Sequence, residues 1–505
     1  MTAQARSDVV ARVRDAFARD DFDELGRIVT KYPLEFWFGM LPSEVHGVLA
    51  AVPPKTLRRN PVAAALLRML AGAPLSGDLG VDLDQVVDGA PPRDVRQGIV
   101  FGQAVQARLA GDPVRAFATM RTLGTVAGAV PFFVDPSRGE LTFALVQTGL
   151  SGMLAGRLSE ALGFFEKSLV PTVPASLAFL NRDAHVRSAM IHVLYGDPRR
   201  ATSHLEAARR VPRTVSWVEQ ILDTDQRMVE VMLQPRSEAA AGFDVLARVT
   251  VGQMHELWPF HVAALSQLAV AADRLEASRR RREEILAADV THQPGLGLSG
   301  SIIPLCAAFE SMLGGAVSTA QQVLAEADGR LWLTKLHLAM TAVGGGAHAR
   351  GLRLARSIAA QTRGLPRVEV ARMLVVALAQ YGQGELSTAL ATLREIEPWQ
   401  IEFAAGLLGR FSPGLVAAAA EQLPGWEPMA SMPGLAVAPL EQVQLSDREL
   451  EVLVALARGE TREQIAAALF LSLNTVKTHL RSLYRKLGVA SASEAILEGR
   501  RRGLV

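Results

Sequence analysis

Apolar residues recur at helical spacing along almost the whole chain, and short polar turns cut the pattern into segments. The sharpest case lies near the C-terminus. Val476, Leu480, Leu483 and Leu487 fall at i, i+4, i+7 and i+11, which predicts one buried stripe on one helix. Start and stop signals surround it. Ser446–Glu449, Thr461–Gln464 and Ser491–Glu494 have the form of capping boxes, in which a hydroxyl accepts from the N3 backbone N–H while the N3 side chain reaches back. Gly459, Gly488 and Gly503 stand where left-handed C-caps belong. These signals predict four short helices between Leu445 and Val505, the second and third joined by a tight turn at Phe470-Leu471-Ser472-Leu473. Such a helix-turn-helix is the geometry that sets a second helix in the major groove of DNA.

A second pattern repeats upstream. A glycine-led turn followed five positions later by alanine occurs at Gly111–Ala116, Gly156–Ala161, Gly196–Ala201, Gly315–Ala320 and Gly384–Ala389. The first three stand 45 and 40 residues apart, and the gap of 119 before the fourth is close to three such periods. Weaker copies fall near Pro235–Ala240, near Glu276 and at Gly346–Gly351. Physically this is a helical hairpin: glycine ends one helix, the turn is polar, and a small residue lets the next helix approach closely. One hairpin cannot bury its own apolar face, so the units are expected to stack into a solenoid.

Composition narrows this picture. Of the 505 residues 49% are hydrophobic but only 6% aromatic, so the core is mostly Ala, Leu and Val, which favours close-packed helices over sheets. There are 47 Arg and 6 Lys, and the net charge is +2, most of it C-terminal. From Phe470 to Val505 seven Lys/Arg face two acids, whereas Leu445–Leu469 holds three bases and five acids. Positive charge is thus concentrated on the half-domain expected to meet phosphate, and the rest is not a general nucleic-acid surface. A single cysteine, Cys306, excludes an intramolecular disulfide. The N-terminal MTAQARSDVVARVRD has no apolar signal core, and no 18-residue apolar run is present, so a cytoplasmic location without membrane contact is expected.

On the stripe-bearing helix, Thr475, Lys477, Thr478, Arg481, Ser482 and Arg485 are expected to point outward, a face of cations and hydroxyls suited to guanine O6/N7, thymine methyl and phosphate. The segment resembles the DNA-binding domain of the LuxR/GerE family of bacterial transcription regulators. The resemblance rests on Leu445-Ser446-x-Arg448-Glu449-x-Glu451-Val452-Leu453, Gly459, Gln464-Ile465-Ala466, Leu471-Ser472, Thr475-Val476-Lys477-Thr478-His479 and Tyr484-Arg485-Lys486-Leu487-Gly488-Val489. It implies base contacts from Lys477, Thr478 and Arg481 and phosphate contacts from Thr475 and His479. Thr461 and Ser472, at the starts of the second and third helices, complete the expected DNA-binding set. The fourth helix, after Ser491, is implied as a dimer surface, hence a homodimer on paired half-sites, with RNA polymerase as a further partner. Arg462 departs from the asparagine common in the family, and either a phosphate contact or an altered turn would follow. Bacterial sigma factors carry a similar string but lack the Lys-Leu-Gly-Val and Ser-x-x-Glu-Ala tail found here.

The repeats resemble tetratricopeptide-like (TPR-like) arrays, and more narrowly the sensor region of MalT-type, large ATP-binding LuxR regulators. Val52-Pro53-Pro54, Asn60-Pro61 and Ala64–Arg68 are similar to the start of such an array. No Gly-Lys dipeptide occurs, so no G-x4-G-K-[ST] phosphate cradle can be written and no cofactor is expected. The expected fold is all-α: an N-terminal helical region over 1–105, a TPR-like solenoid over 106–422, a Pro/Gly-rich linker over 423–444 and a four-helix LuxR-type domain over 445–505. The expected function is a regulator whose array senses a small molecule or protein and restrains the DNA-binding domain until that effector binds. The rival is a repeat scaffold whose terminal domain only pairs.

Other signals are weak. Gly295-Leu-Gly297-Leu-Ser-Gly300 fits G-x-G-x-x-G formally, but Pro294 precedes it instead of a strand, so a flexible loop is expected. His185 and His192 can share a helix face but have no third ligand in view. Phe36-Trp37-Phe38 and Trp258-Pro259-Phe260 are read as core anchors, with a ligand cleft as the other option. Asp20-Asp21 reads as a solvated turn and Arg279–Arg282 as a solvated helix face. No nucleophile–base pair emerges, so an enzyme is not expected.

Overall fold

The computed structural model describes residues 4–70, 92–125, 138–431, 445–469, 471–487, 489, 491, 492 and 494–496. These form α-helices, short 3-10 segments and, among the described residues, no strand. The chain divides into two compact units, Met1–Ile302 and Ile303–Val505.

The first unit opens with the helices Gln4–Ala18, Phe22–Lys31, Pro33–Gly39, Pro42–Ala50, Pro54–Arg59 and Pro61–Leu70. Val13, Leu25, Ile28, Phe36 and Leu49 form their core. Antiparallel pairs follow: Pro92–Leu109 with Pro113–Thr125, Glu140–Leu154 with Leu158–Ser168, Phe179–Tyr195 with Pro198–Arg210, Val218–Met232 with Ala239–Ala247, and Trp258–Ala272 with Leu275–Ala287. The Phe179–Tyr195 helix packs on both Glu140–Leu154 and Val218–Met232 as well as on its own partner. Packed from three sides, it buries nearly every residue, including Arg182, Asp183, Arg187 and His192. The second unit continues the theme with Ile302–Leu313 and Val317–Leu324, Trp332–Gly344 and His348–Ser357, Pro366–Gly382 and Leu386–Arg394, and Ile401–Leu408 and Pro413–Gln422. Leu423 and Trp426, at the head of the Pro/Gly-rich 423–444 stretch, belong to the core of the last of these pairs.

The repeated turn has one physical form. Gly111, Gly156, Gly315, Gly346 and Gly384 lie at φ between 77° and 85°, the left-handed region. The next residue donates its N–H to a carbonyl five positions back: Asp112 to Ala107 (2.8 Å), Arg157 to Gly152 (2.8 Å), Ala316 to Ser311 (2.8 Å), Ala347 to Ala342 (2.8 Å) and Glu385 to Gln380 (2.9 Å). This is the Schellman closure, which satisfies carbonyls that the helix end would orphan. Five residues past the glycine, Ala116, Ala161, Ala320 and Ala389 are wholly buried. Gly351 replaces that alanine where a Cβ would come within 2.4 Å of Val343 Cγ2.

Three turns vary the theme. Gly196 lies at φ −114° and is a glycine for space instead, since a Cβ would stand 2.5 Å from His192 Nδ1. The turn near Pro235 is a 3-10 segment, Arg236–Glu238, with Ala239 buried. Near Glu276 the left-handed residue is Asp273 (φ 55°), Arg274 closes onto Ala269, and Ser278 takes the buried small position. Asp20 (φ 54°) makes the same closure through Asp21 and Ala16, so the Asp20-Asp21 pair is one more copy of the hairpin turn. Aspartate tolerates this conformation better than most residues with a side chain.

The glycine-rich loop at 295–300 is packed, contrary to the flexible loop expected. Leu298 N–H bonds Leu154 O (2.9 Å), and a Cβ on Gly300 would collide with Gln293 O. Its glycines serve close backbone approach, and among the described residues no strand leads into it, although the helix Ile302–Leu313 follows. Phe36, Trp258 and Phe260 are core residues as expected. Phe38 is also buried in a core cluster, and together with Trp37 it lines a cavity. His204 joins His185 and His192: the Nδ1 atoms of His185 and His204 stand 3.1 Å apart, and the rings of His192 and His204 stack. Burial, followed by repulsion from His204, pushes His185 and His192 down to about 4.

Candidate nucleic-acid interface

Three described helices build the C-terminal domain: Asp447–Ala457, Arg462–Ala468 and Leu473–Leu487. Each start follows from local chemistry. Ser446 Oγ accepts from Glu449 N–H (3.3 Å) while Glu449 Oε2 accepts from Ser446 N–H (2.7 Å). Thr461 and Gln464 repeat the exchange at 3.3 and 2.8 Å. Ser472 Oγ accepts from Thr475 N–H (3.1 Å) and lies 2.8 Å from Thr475 Oγ1. Ser491 Oγ accepts from Glu494 N–H (3.2 Å), so the fourth helix has its predicted start. Its continuation, and the calls on Gly488 and Gly503, lie outside the described residues. Gly459 is left-handed at φ 81°.

Val476, Leu480, Leu483 and Leu487 are buried against Val452, Leu453 and Ile465. With that stripe inward, Lys477, Thr478, Arg481 and Arg485 are exposed, and Thr475 and His479 are half-buried beside them. Lys477, Arg481 and Arg485 form no ion pair with another described residue. Thr478 Oγ1 donates to Asn474 O (2.9 Å), which leaves its methyl and lone pairs on the outer face. Ser472 and Thr461 are exposed at their helix starts.

Ser482, expected to point outward, is half-buried and borders the Glu449 carboxylate, on the flank of the stripe that faces the first helix. Lys486 turns the same way and donates its Nζ to Glu449 Oε2 at 2.6 Å. Burial alone would raise the Glu449 carboxyl. The Lys486 ammonium, the Ser446 N–H and hydroxyl and the Ser482 hydroxyl outweigh it and hold the group down at about 2. This buried carboxylate fixes the third helix to the first, and the capping box in the sequence showed only half of its role. Arg462, the departure from the family pattern, places its guanidinium near the Tyr484 phenol of the third helix.

The family described as bacterial regulatory proteins, luxR family, matches residues 443–498. The C-terminal domain is a LuxR-family helix-turn-helix domain. The uncharacterized transcriptional regulatory protein YhcZ of Bacillus subtilis is 50% identical over 54 residues, 11% of this chain and 25% of that protein. The probable transcriptional regulatory protein SgaR of Hyphomicrobium methylovorum is 53% identical over 58 residues, 12% of this chain and 26% of that one. The HTH-type transcriptional regulator MalT of Yersinia pestis is 44% identical over 57 residues, 11% of this chain and 6% of MalT. The chain therefore spans about a quarter of the length of the first two relatives and far less of MalT. Among solved structures, the APC/C hetero-tetramer Cut9-Hcn1 aligns over 97% of this chain and 96% of that one, at 12% identity and a TM-score of 0.32. No helix among the described residues is long and apolar enough to cross a membrane.

Proposed function

We propose that the protein is a sequence-specific DNA-binding transcriptional regulator, acting in the cytoplasm as a homodimer and presenting its DNA-bound domain to RNA polymerase. One observation carries the reading: a LuxR-family domain whose third helix leaves Lys477, Arg481 and Arg485 exposed beside Thr478. In this reading Lys477, Thr478 and Arg481 meet base edges, where a bidentate arginine or lysine suits guanine and a threonine methyl suits thymine. Thr475, His479, Arg485 and the hydroxyls of Thr461 and Ser472 meet phosphates and fix the register. Ser482 acts through Glu449 as a positioning residue. The helical hairpins upstream, with 1–105 as their beginning and 423–444 as the connection, are the sensor, and their effector shifts the equilibrium between restrained and DNA-competent protein. The reading assigns no enzymatic step to any residue.

Genome-wide occupancy of the wild type beside Lys477→Ala/Arg481→Ala tests this. Discrete peaks sharing a roughly palindromic motif, absent in the double variant, are expected. Peaks that persist unchanged in the variant would refute the assignment of the reading helix. Absence of peaks both in the full chain and after deletion of residues 1–440 would favour the repeat-scaffold function.

A further inference from the structure

The first unit contains a cavity of about 790 Å³. That is within the range of small-molecule sites and well above a packing defect. Its walls are strongly apolar. In a chain with only 28 aromatic residues, six line this one space: Trp37, Phe38, Phe101, Phe143, Phe179 and Trp217. Phe38 is their hub, with ring centroids 4.9 Å from Phe179, 5.7 Å from Phe143 and 6.0 Å from Trp217. The Trp217 indole N–H is already spent on Trp37 O at 3.3 Å. The aromatics are thus packed against one another on one side and leave their other side to the cavity.

A group of charged residues also borders the space, drawn from three separate elements. Arg108 donates to Glu256 Oε2 (2.6 Å), to Gln147 Oε1 (2.7 Å) and O (3.2 Å), and to Ser151 Oγ (3.1 Å), so its guanidinium is satisfied. Glu256 is presented by His255, held at φ 45° and ψ −140°, a backbone conformation L residues rarely adopt. Arg187 differs from Arg108. Only 7% exposed, it directs Nε and Nη2 to Asp183, while its Nη1 is buried with no hydrogen-bond partner. An atom so sealed cannot be reached from the cavity, so at this border the ion pairs Arg108–Glu256 and Arg187–Asp183 present no unmatched charge to the space.

These charges decide what kind of ligand fits. Asp183 neutralises Arg187, Arg108 is committed to Glu256, and Asp225 adds further negative potential, so no net positive charge is left beside Arg187 for an anionic ligand. We propose that this cavity is the sensor's ligand site and that it takes an uncharged, largely apolar aromatic small molecule that stacks on the ring cluster around Phe38. The proposal rests on the sensor role assigned above and gives that role a location and a ligand chemistry.

Nile red, a neutral aromatic dye with one carbonyl oxygen, is a direct probe, and 8-anilinonaphthalene-1-sulfonate is its anionic counterpart. Gly98 lines the cavity, and a Cβ there would meet nothing within 4 Å, so Gly98→Trp is the substitution aimed at filling the space. The full chain is expected to bind Nile red saturably, one per protomer, with blue-shifted emission and quenching of tryptophan fluorescence. Gly98→Trp should lose that binding with its circular dichroism and unfolding midpoint retained. No saturable binding, or equal binding by Gly98→Trp, overturns the site. Equal affinity for the anionic dye overturns the assignment of an uncharged ligand. Lys477→Ala/Arg481→Ala should bind Nile red as the wild type does while losing DNA. The ligand site and the DNA-binding reading can therefore fail independently.

Discussion

Arginine does opposite work in the two ends of this chain. In the first unit Arg108, Arg182 and Arg187 are buried and paired with Glu256, Glu219 and Asp183. In the C-terminal domain Arg481, Arg485 and Lys477 lie on the surface and pair with no described residue. A buried guanidinium must be matched inside the protein, because its desolvation is otherwise unrecovered, and it then serves the fold. An exposed cation left unmatched contributes little to the fold and is available to phosphate and base edges. The comparison separates residues that hold this molecule together from residues that act on something else, and residue type alone would not.

The largest effect that follows concerns the buried side. Arg182 donates to Glu219 and to Asp223 (2.7 Å) and Gln226 (2.9 Å), and its side chain and that of Glu219 are only 4% and 5% exposed. Arg182→Ala strands the Glu219 carboxylate and should cost about 3–5 kcal/mol, read as a lower denaturation midpoint. An unchanged midpoint would break the comparison from its buried end.

Next comes Glu449, a buried carboxylate of the C-terminal domain strongly paired with Lys486. Its folded pKa, about 2, lies below the ordinary 4.5. Its stabilisation is therefore complete above pH 4.5 and is lost as pH falls toward 2, a total of about 3 kcal/mol. Amide-exchange protection across Leu473–Leu487 should fall through that window, and Glu449→Gln should flatten the dependence. A wild-type profile that is flat from pH 5 to pH 2 would remove Glu449 as the tie between the first and third helices.

A smaller effect sits on the exposed side. Arg481→Ala should change stability by less than about 0.5 kcal/mol, yet weaken binding to a cognate site by about 1–3 kcal/mol and relax base preference at one position. Loss of stability comparable to that of Arg182→Ala would erase the distinction. Smallest of all, Gly384→Ala, in open space at φ 83°, should cost about 1 kcal/mol for the left-handed backbone. Calorimetry of the full chain measures it, and no loss would mean the turn can refold into another form.

What the sequence revealed follows the same division. The C-terminal domain was legible because its signals are local: a hydroxyl and an acid three residues apart, a stripe on one helix, a glycine after an apolar run. The hairpins were legible wherever glycine took the left-handed position, and hidden at Asp20 and Asp273, where aspartate does the same work. Helical spacing places Ser482 on the border of the stripe, and only the packing of the first helix brings it beside Glu449. Arg462 was undecidable for a similar reason, since its neighbour Tyr484 lies on another helix. Of the cavity, the sequence offered only a ligand cleft at Phe36-Trp37-Phe38 as the second option, because its walls come from residues as far apart as Thr30 and Leu257.

The central claim is that the unmatched cations of the third helix exist to bind DNA. It is tested most directly by titrating the full chain onto duplex DNA carrying an occupied site, across a range of salt, beside Lys477→Ala/Arg481→Ala. Wild-type affinity should fall steeply and linearly with the logarithm of salt concentration, and the double variant should lose site preference and flatten that slope while unfolding at the wild-type temperature. A double variant that binds the site as tightly as the wild type, with the same salt slope, would contradict the account.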